Sequence, residues 1–123
     1  MNKHGELLLS WEGSILVIKA KGAFNEEGAL DGIKAIKKSV STKDVSTWQR
    51  LGFWDDEYLG SPATLQMFKD AHEWCSGKGC ERVAVVVSNS LQESVVEKNF
   101  GCRAKVFKLE TDARKWLVSK LDT

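Results

Sequence analysis

The densest cluster of groups able to do acid–base chemistry is Asp55-Asp56-Glu57. A general acid and a general base must be held in different protonation states, whereas adjacent carboxylates in a loop are ordinarily all solvated and ionised. An enzyme using Asp55 or Glu57 therefore ranks last among the function classes. His4 and His72 lie far apart in sequence, and neither has a neighbour at metal-ligand spacing. Cys75, Cys80 and Cys102 are an odd set without CxxC spacing, so the expectation is no metal, no cofactor and no disulfide framework, with the thiols packed as small hydrophobes. Ser76-Gly77-Lys78-Gly79 looks like a fragment of a phosphate loop. A true one follows a strand and opens a helix, whereas this one closes a helix and precedes a strand, which makes it a helix stop. GxSxG, HExxH and GxGxxG are absent. Nucleophilic, metal-assisted and dinucleotide chemistry thus lack their parts, no catalytic residue is assigned, and binding is the expected activity.

Whatever binds must be positioned by a chain of 123 residues, which suits a single domain over 1–123 with a core of its own. Eighteen basic and seventeen acidic residues leave a net charge of +1, too little bias for a general nucleic-acid binder. The first six residues are polar with no apolar signal run behind them, and no stretch approaches the roughly 18 apolar residues of a membrane span, so the expected location is the cytoplasm.

Two β-rich apolar runs, residues 7–11 and 15–20, flank Glu12-Gly13-Ser14 and predict a hairpin. In residues 25–40, Ala29, Leu30, Ile33, Ile36 and Val40 recur at helical spacing behind Asn25 as N-cap. A polar loop over 41–47 leads into a third strand, Trp48–Trp54, weakened by Gly52. Ser61-Pro62 is the cap and first-turn signature of a second helix, whose face carries Leu65, Phe68, Ala71, His72 and Cys75 and which ends at Gly77 and Gly79. The unbroken run 83–87 predicts a central strand covered on both faces. Ser90 caps a short helix through Asn99, Ala104–Phe107 makes a last strand, and residues 111–121 a last helix with Ala113, Trp116, Leu117 and Leu121 on one face. The order β-β-α-β-α-β-α-β-α predicts an α/β fold: a five-stranded mixed sheet with four helices, mostly parallel with right-handed crossovers, its one antiparallel pair the opening hairpin.

In such sheets ligands sit beyond the carboxyl ends of the parallel strands, where helix N-termini present free N–H groups. Asn25, Ser61, Asn89 and Ser90 should share that rim. Plain capping accounts for residues of these types, and an anion or phosphorylation site is the alternative reading.

The opening hairpin with Val17-Ile18 and Gly22-Ala23-Phe24-Asn25, the strand Arg82-Val83-Ala84-Val85-Val86-Val87, and the closing Val106-Phe107 with Ala113, Trp116 and Leu117 resemble the STAS superfamily, and more closely its SpoIIAA-like branch, over nearly the whole chain. The resemblance implies strands largely in chain order, no enzymatic activity, and interaction with a protein partner or a small apolar or nucleotide ligand. In the anti-sigma-factor antagonists of this superfamily, a serine at the start of the helix after the third strand is phosphorylated to switch partner binding. Ser61 occupies the similar place, although the chain reads Leu59-Gly60-Ser61-Pro62-Ala63 where those proteins carry an Asp-Ser-Ser-Gly-Leu-Gly-like turn.

Two binding readings stay open beside the enzyme: an antagonist-type interaction module, and a carrier or sensor of a small apolar ligand, with or without peripheral contact to a membrane. Crossovers of one hand put the helices mainly on one face of the sheet, yet residues 15–18 and 83–87 are apolar on both faces. The face away from the helices is thus expected either to be folded over by the last helix or the amino-terminal segment, or to form an interface. The second alternative predicts a homodimer, or a monomer holding an apolar ligand, with Trp54, Tyr58 and Leu59 near the contact.

Overall fold

A computed structural model describes residues 4–58 and 60–119. The strands are β1 (Glu6–Glu12), β2 (Ile15–Lys21), β3 (Trp48–Trp54), β4 (Cys80–Val86) and β5 (Ala104–Phe107). The helices are α1 (Glu26–Thr42), α2 (Pro62–Gly77), α3 (Ser90–Asn99) and α4 (Glu110–Ser119), with a 3-10 turn over Gly101–Arg103. The five strands lie in chain order; β1 and β2 are antiparallel and every other pair is parallel. This is the mixed sheet and the element order expected from the sequence.

Local chemistry explains the boundaries. Gly13 takes φ 61° in the two-residue turn between Glu12 and Ile15, a conformation that suits the twist of a hairpin and that few other residues adopt. After α2, Gly79 takes φ 99° and its backbone passes against the Ser46 carbonyl, which leaves no room for a Cβ. The Ser76–Gly79 segment therefore stops a helix, as its placement before a strand requires. Helix α1 runs two residues beyond Val40, into the segment expected to be loop, and the Thr42 hydroxyl satisfies the Lys38 carbonyl in that last turn. At the start of α3 the N-cap is Asn89, not Ser90: the Asn89 side chain accepts from the Gln92 N–H at 2.9 Å, and Ser90 is the first helical residue. Two adjacent residues of capping type differ here only in which one reaches the free amide.

Strand alternation divides the core. Leu16, Ile18, Trp48, Trp54, Val83 and Val85 point toward α1, α2 and α3, while Val17, Leu51 and Ala84 point to the opposite face. That face is not bare. Helix α4 folds back across β3, β4 and β5, and its Ala113 and Leu117 are fully buried against Val17, Leu51 and Ala84. Gln49 Nε2 donates to the Leu117 carbonyl at 3.0 Å, and Arg114 bridges to Glu12 at 2.9 Å. The last helix is therefore the cover for the second apolar face, and the reason for expecting a homodimer across it disappears.

Candidate functional site

The starts of α1, α2 and α3 lie beyond the carboxyl ends of the parallel strands, and the side chains of Asn25, Ser61 and Asn89 each cap one of them. A parallel bridge between Phe24 and Gly60 sets the starts of α1 and α2 side by side. Asn25 Oδ1 accepts from the Gly28 N–H at 2.8 Å and from the His4 N–H at 3.0 Å, capping α1 and tying down the amino-terminal segment. Ser61 is exposed and caps α2, its Oγ accepting from the Thr64 N–H at 3.2 Å with Pro62 at the first helical position. Capping thus accounts for Asn25, Ser61 and Asn89; Ser61 and Asn89 are both exposed, and Ser61 stands at the start of the helix after β3.

The loop from β3 to α2 is held by two residues. Asp55 Oδ2 accepts from the Gly22 N–H at 2.9 Å and its Oδ1 from the Glu57 N–H at 3.1 Å, so this carboxylate links the exit of β2 to the loop. Gln92, completely buried on α3, clamps the loop from the other side. Its Nε2 donates to the carbonyls of Asp55 at 2.6 Å and Tyr58 at 3.1 Å, while its Oε1 accepts from the Ser88 N–H at 2.8 Å.

This clamp turns the aromatic residues of the loop inward. Tyr58 is only 4% exposed; its ring lies 4.4 Å from that of Trp54 and 5.3 Å from that of Phe24, with Phe68 also in contact. Burial pushes its phenol far above the ordinary range. Tyr58 is therefore a core residue and not a surface anchor for a partner, because burying a large ring stabilises more than leaving it at the edge of the sheet. Trp54 is half-buried beside it, and Leu59 lies outside the described residues.

Beneath these rings, between the sheet and α1 and α2, is a cavity of about 70 Å³. Its walls are apolar, among them Ile18, Ala20, Trp54, Tyr58, Phe68 and Val85, and Gly52 widens it by contributing no side chain. Two polar residues interrupt the walls. Arg50 of β3, 7% exposed, donates from Nη2 to His72 Nδ1 of α2 at 2.6 Å, and the imidazole stacks on Phe100 at 4.9 Å. Burial, followed by the charge of Arg50, pushes the His72 pKa down to about 4, against a hydrogen bond with the Phe100 backbone. His72 is thus neutral, with Nδ1 as the acceptor.

The residues that could do other chemistry are not brought together. Burial pushes the Cys80 thiol up to about 11, so it is not a nucleophile at neutral pH. Cys75 is buried and Cys102 exposed, neither in a disulfide. Among the described residues no group of three or more His, Cys, Asp and Glu could hold a metal ion, and no helix is long and apolar enough to cross a membrane.

Sequence reasoning missed Arg50 and Gln92, although a signal existed for the first. Trp48, Arg50, Gly52 and Trp54 share strand parity, so two tryptophans at the ends of β3 mark the face on which Arg50 must also lie. Gln92 carries no such mark, since a glutamine within a short helix reads as solvated.

No protein-family model and no curated protein sequence matches the chain. Its fold is similar to the crystal structure of an uncharacterised DUF3478-family protein with a SpoIIAA-like fold from Shewanella loihica PV-4, with a TM-score of 0.67, 20% identity, and coverage of 95% of this chain and 96% of that one. It is also similar to an anti-sigma factor antagonist from Mycobacterium paratuberculosis, with a TM-score of 0.65, 13% identity, and coverage of 93% of this chain and 94% of that one. These likenesses establish a STAS/SpoIIAA-like fold, the architecture that the core patterns resembled.

Proposed function

We propose that residues 1–123 form one cytoplasmic, non-enzymatic regulatory domain that acts by binding a protein partner at the rim where α1, α2 and α3 begin. The observation that carries this reading is the exposed Ser61 at the start of the helix after the third strand, on a fold shared with an anti-sigma factor antagonist. A phosphate there would sit at the positive end of α2 beside the amides of Ala63 and Thr64, where added negative charge stabilises the helix while changing the surface a partner meets.

Tagged wild-type, Ser61→Ala and Ser61→Asp chains purified from the native host test the switch. Ser61→Ala is expected to cost about 0.5–2 kcal/mol of stability through the lost cap and to retain the wild-type partner, whereas Ser61→Asp stays folded and changes the partner set. Identical partners for wild type and Ser61→Asp would leave Ser61 as a cap alone. A second reading, a carrier or sensor of a small apolar ligand, is favoured by the cavity lined by Trp54 and Tyr58.

A further inference from the structure

The unusual group in this fold is Arg50. A guanidinium keeps its charge at all ordinary pH values and is almost never buried without a compensating anion. Among the described residues it forms no ion pair, and its single hydrogen-bond partner is His72 Nδ1 at 2.6 Å. His72 is neutral, so the pair carries a net positive charge into the core. Among the described residues neither a carboxylate nor a ring of backbone carbonyls, the two devices that usually explain a buried arginine, meets this guanidinium.

The donor count points to where the compensation belongs. A guanidinium has five N–H donors in a planar fork, and His72 takes one. Every side-chain nitrogen or oxygen that is sealed from solvent-sized space has a partner among the described residues. Nε and Nη1 of Arg50 have no partner among the described residues and are therefore reached by solvent-sized space, and Arg50 lines the cavity under Trp54 and Tyr58. The enclosed part of that cavity, about 70 Å³, holds on the order of two waters at about 30 Å³ each, and the cavity is partly open, so it takes only a small ligand whose end can reach the mouth.

We propose that this cavity binds a compact organic monoanion, a short-chain monocarboxylate, with the carboxylate on the Arg50 fork and the alkyl end against Trp54, Tyr58 and Phe68. A carboxylate matches the guanidinium in charge and in planar two-point geometry. A short alkyl tail matches the mainly apolar walls, which disfavour a multiply charged ligand. One charge is what the site needs, because His72 adds none. The assignment rests on the ligand-binding reading of the cavity and is independent of the partner-binding reading of Ser61.

Calorimetric titration of the full chain with butyrate, its neutral amide butyramide, and chloride at matched ionic strength tests it, repeated on Arg50→Met. Butyrate is expected to bind the wild type at least about tenfold more tightly than butyramide, the loss of one charge-assisted pair, and Arg50→Met to erase that difference. No binding of butyrate or butyramide to the folded wild type would overturn both the carboxylate assignment and the ligand reading. Equal affinity for the two would overturn the role of Arg50 while leaving an apolar-ligand cavity. Chloride that competes with butyrate at equal affinity would overturn the organic ligand. If Arg50→Met does not fold, the butyrate-to-butyramide ratio of the wild type decides alone.

Discussion

Gln92→Leu is expected to lower the unfolding free energy by about 2–4 kcal/mol and to loosen the loop between β3 and α2. The substitution keeps the volume of a completely buried side chain but removes three hydrogen bonds at once: to the Asp55 and Tyr58 carbonyls and from the Ser88 N–H. Leaving a buried polar group without its partner costs about 1–3 kcal/mol, and only part of that applies where, as at Asp55 and Ser88, water can reach the orphan. Gln92→Glu should be worse at neutral pH, because a carboxylate in that place faces two carbonyl oxygens and cannot donate to them. Urea unfolding with an unchanged m-value would report the loss of stability, and amide exchange in the loop its loosening. A Gln92→Leu protein within about 0.5 kcal/mol of wild type, the range of ordinary surface substitutions, would mean that the loop is held by Asp55 and the aromatic packing alone.

The fold was legible because its signals are local. The β-branched run before Ser88, the Gly-containing hairpin, and the Asn25 and Ser61 caps each specify an element from within a few residues. The unbroken apolar pattern of Val83, Val85 and Val87 on one face and Ala84 and Val86 on the other correctly required cover on both sides of β4. What it could not specify was the source of that cover. Helix α4 presents Ala113 and Leu117 on one stripe, and an amphipathic stripe is the same whether its partner is the chain's own sheet or another molecule.

The site was less legible because it is made by distant residues of ordinary type. His72 was placed on the apolar face of α2 by its spacing, but a histidine there becomes informative only once Arg50, 22 residues away on β3, is known to touch it. Likewise Tyr58, in a loop of acidic residues, reads as an exposed anchor until Gln92, 34 residues on, is seen to hold its carbonyl and turn its ring into the core. A residue's burial is a property of the packed fold, and for polar and aromatic types the neighbouring sequence does not determine it.

The buried Arg50–His72 contact also makes stability depend on pH between about 4 and 6.5. The ordinary histidine pKa is 6.5, and in the folded chain burial and the charge of Arg50, with a smaller contribution from Arg103, push that of His72 down to about 4. Between these values the unfolded chain takes up a proton that the native chain refuses, so stability falls as pH falls. The loss is nearly complete by pH 4 and amounts to at most about 3 kcal/mol, each pKa unit corresponding to about 1.4 kcal/mol. Above pH about 6.5 both states are neutral at this position and the effect vanishes. His72→Gln separates it from carboxylate titration, since a glutamine oxygen can still accept from Arg50 but does not titrate. Urea unfolding at pH 7, 5.5 and 4.5 should therefore show a steeper decline for wild type than for His72→Gln, and matching slopes would mean that His72 is already protonated or solvent-accessible in the folded protein. The same titration followed by the His72 ring resonances reads the cavity as well. A carboxylate seated on Arg50 offsets the charge that opposes protonation, so its binding must move the His72 midpoint upward, whereas a neutral ligand in the same space can only deepen the burial and move it down.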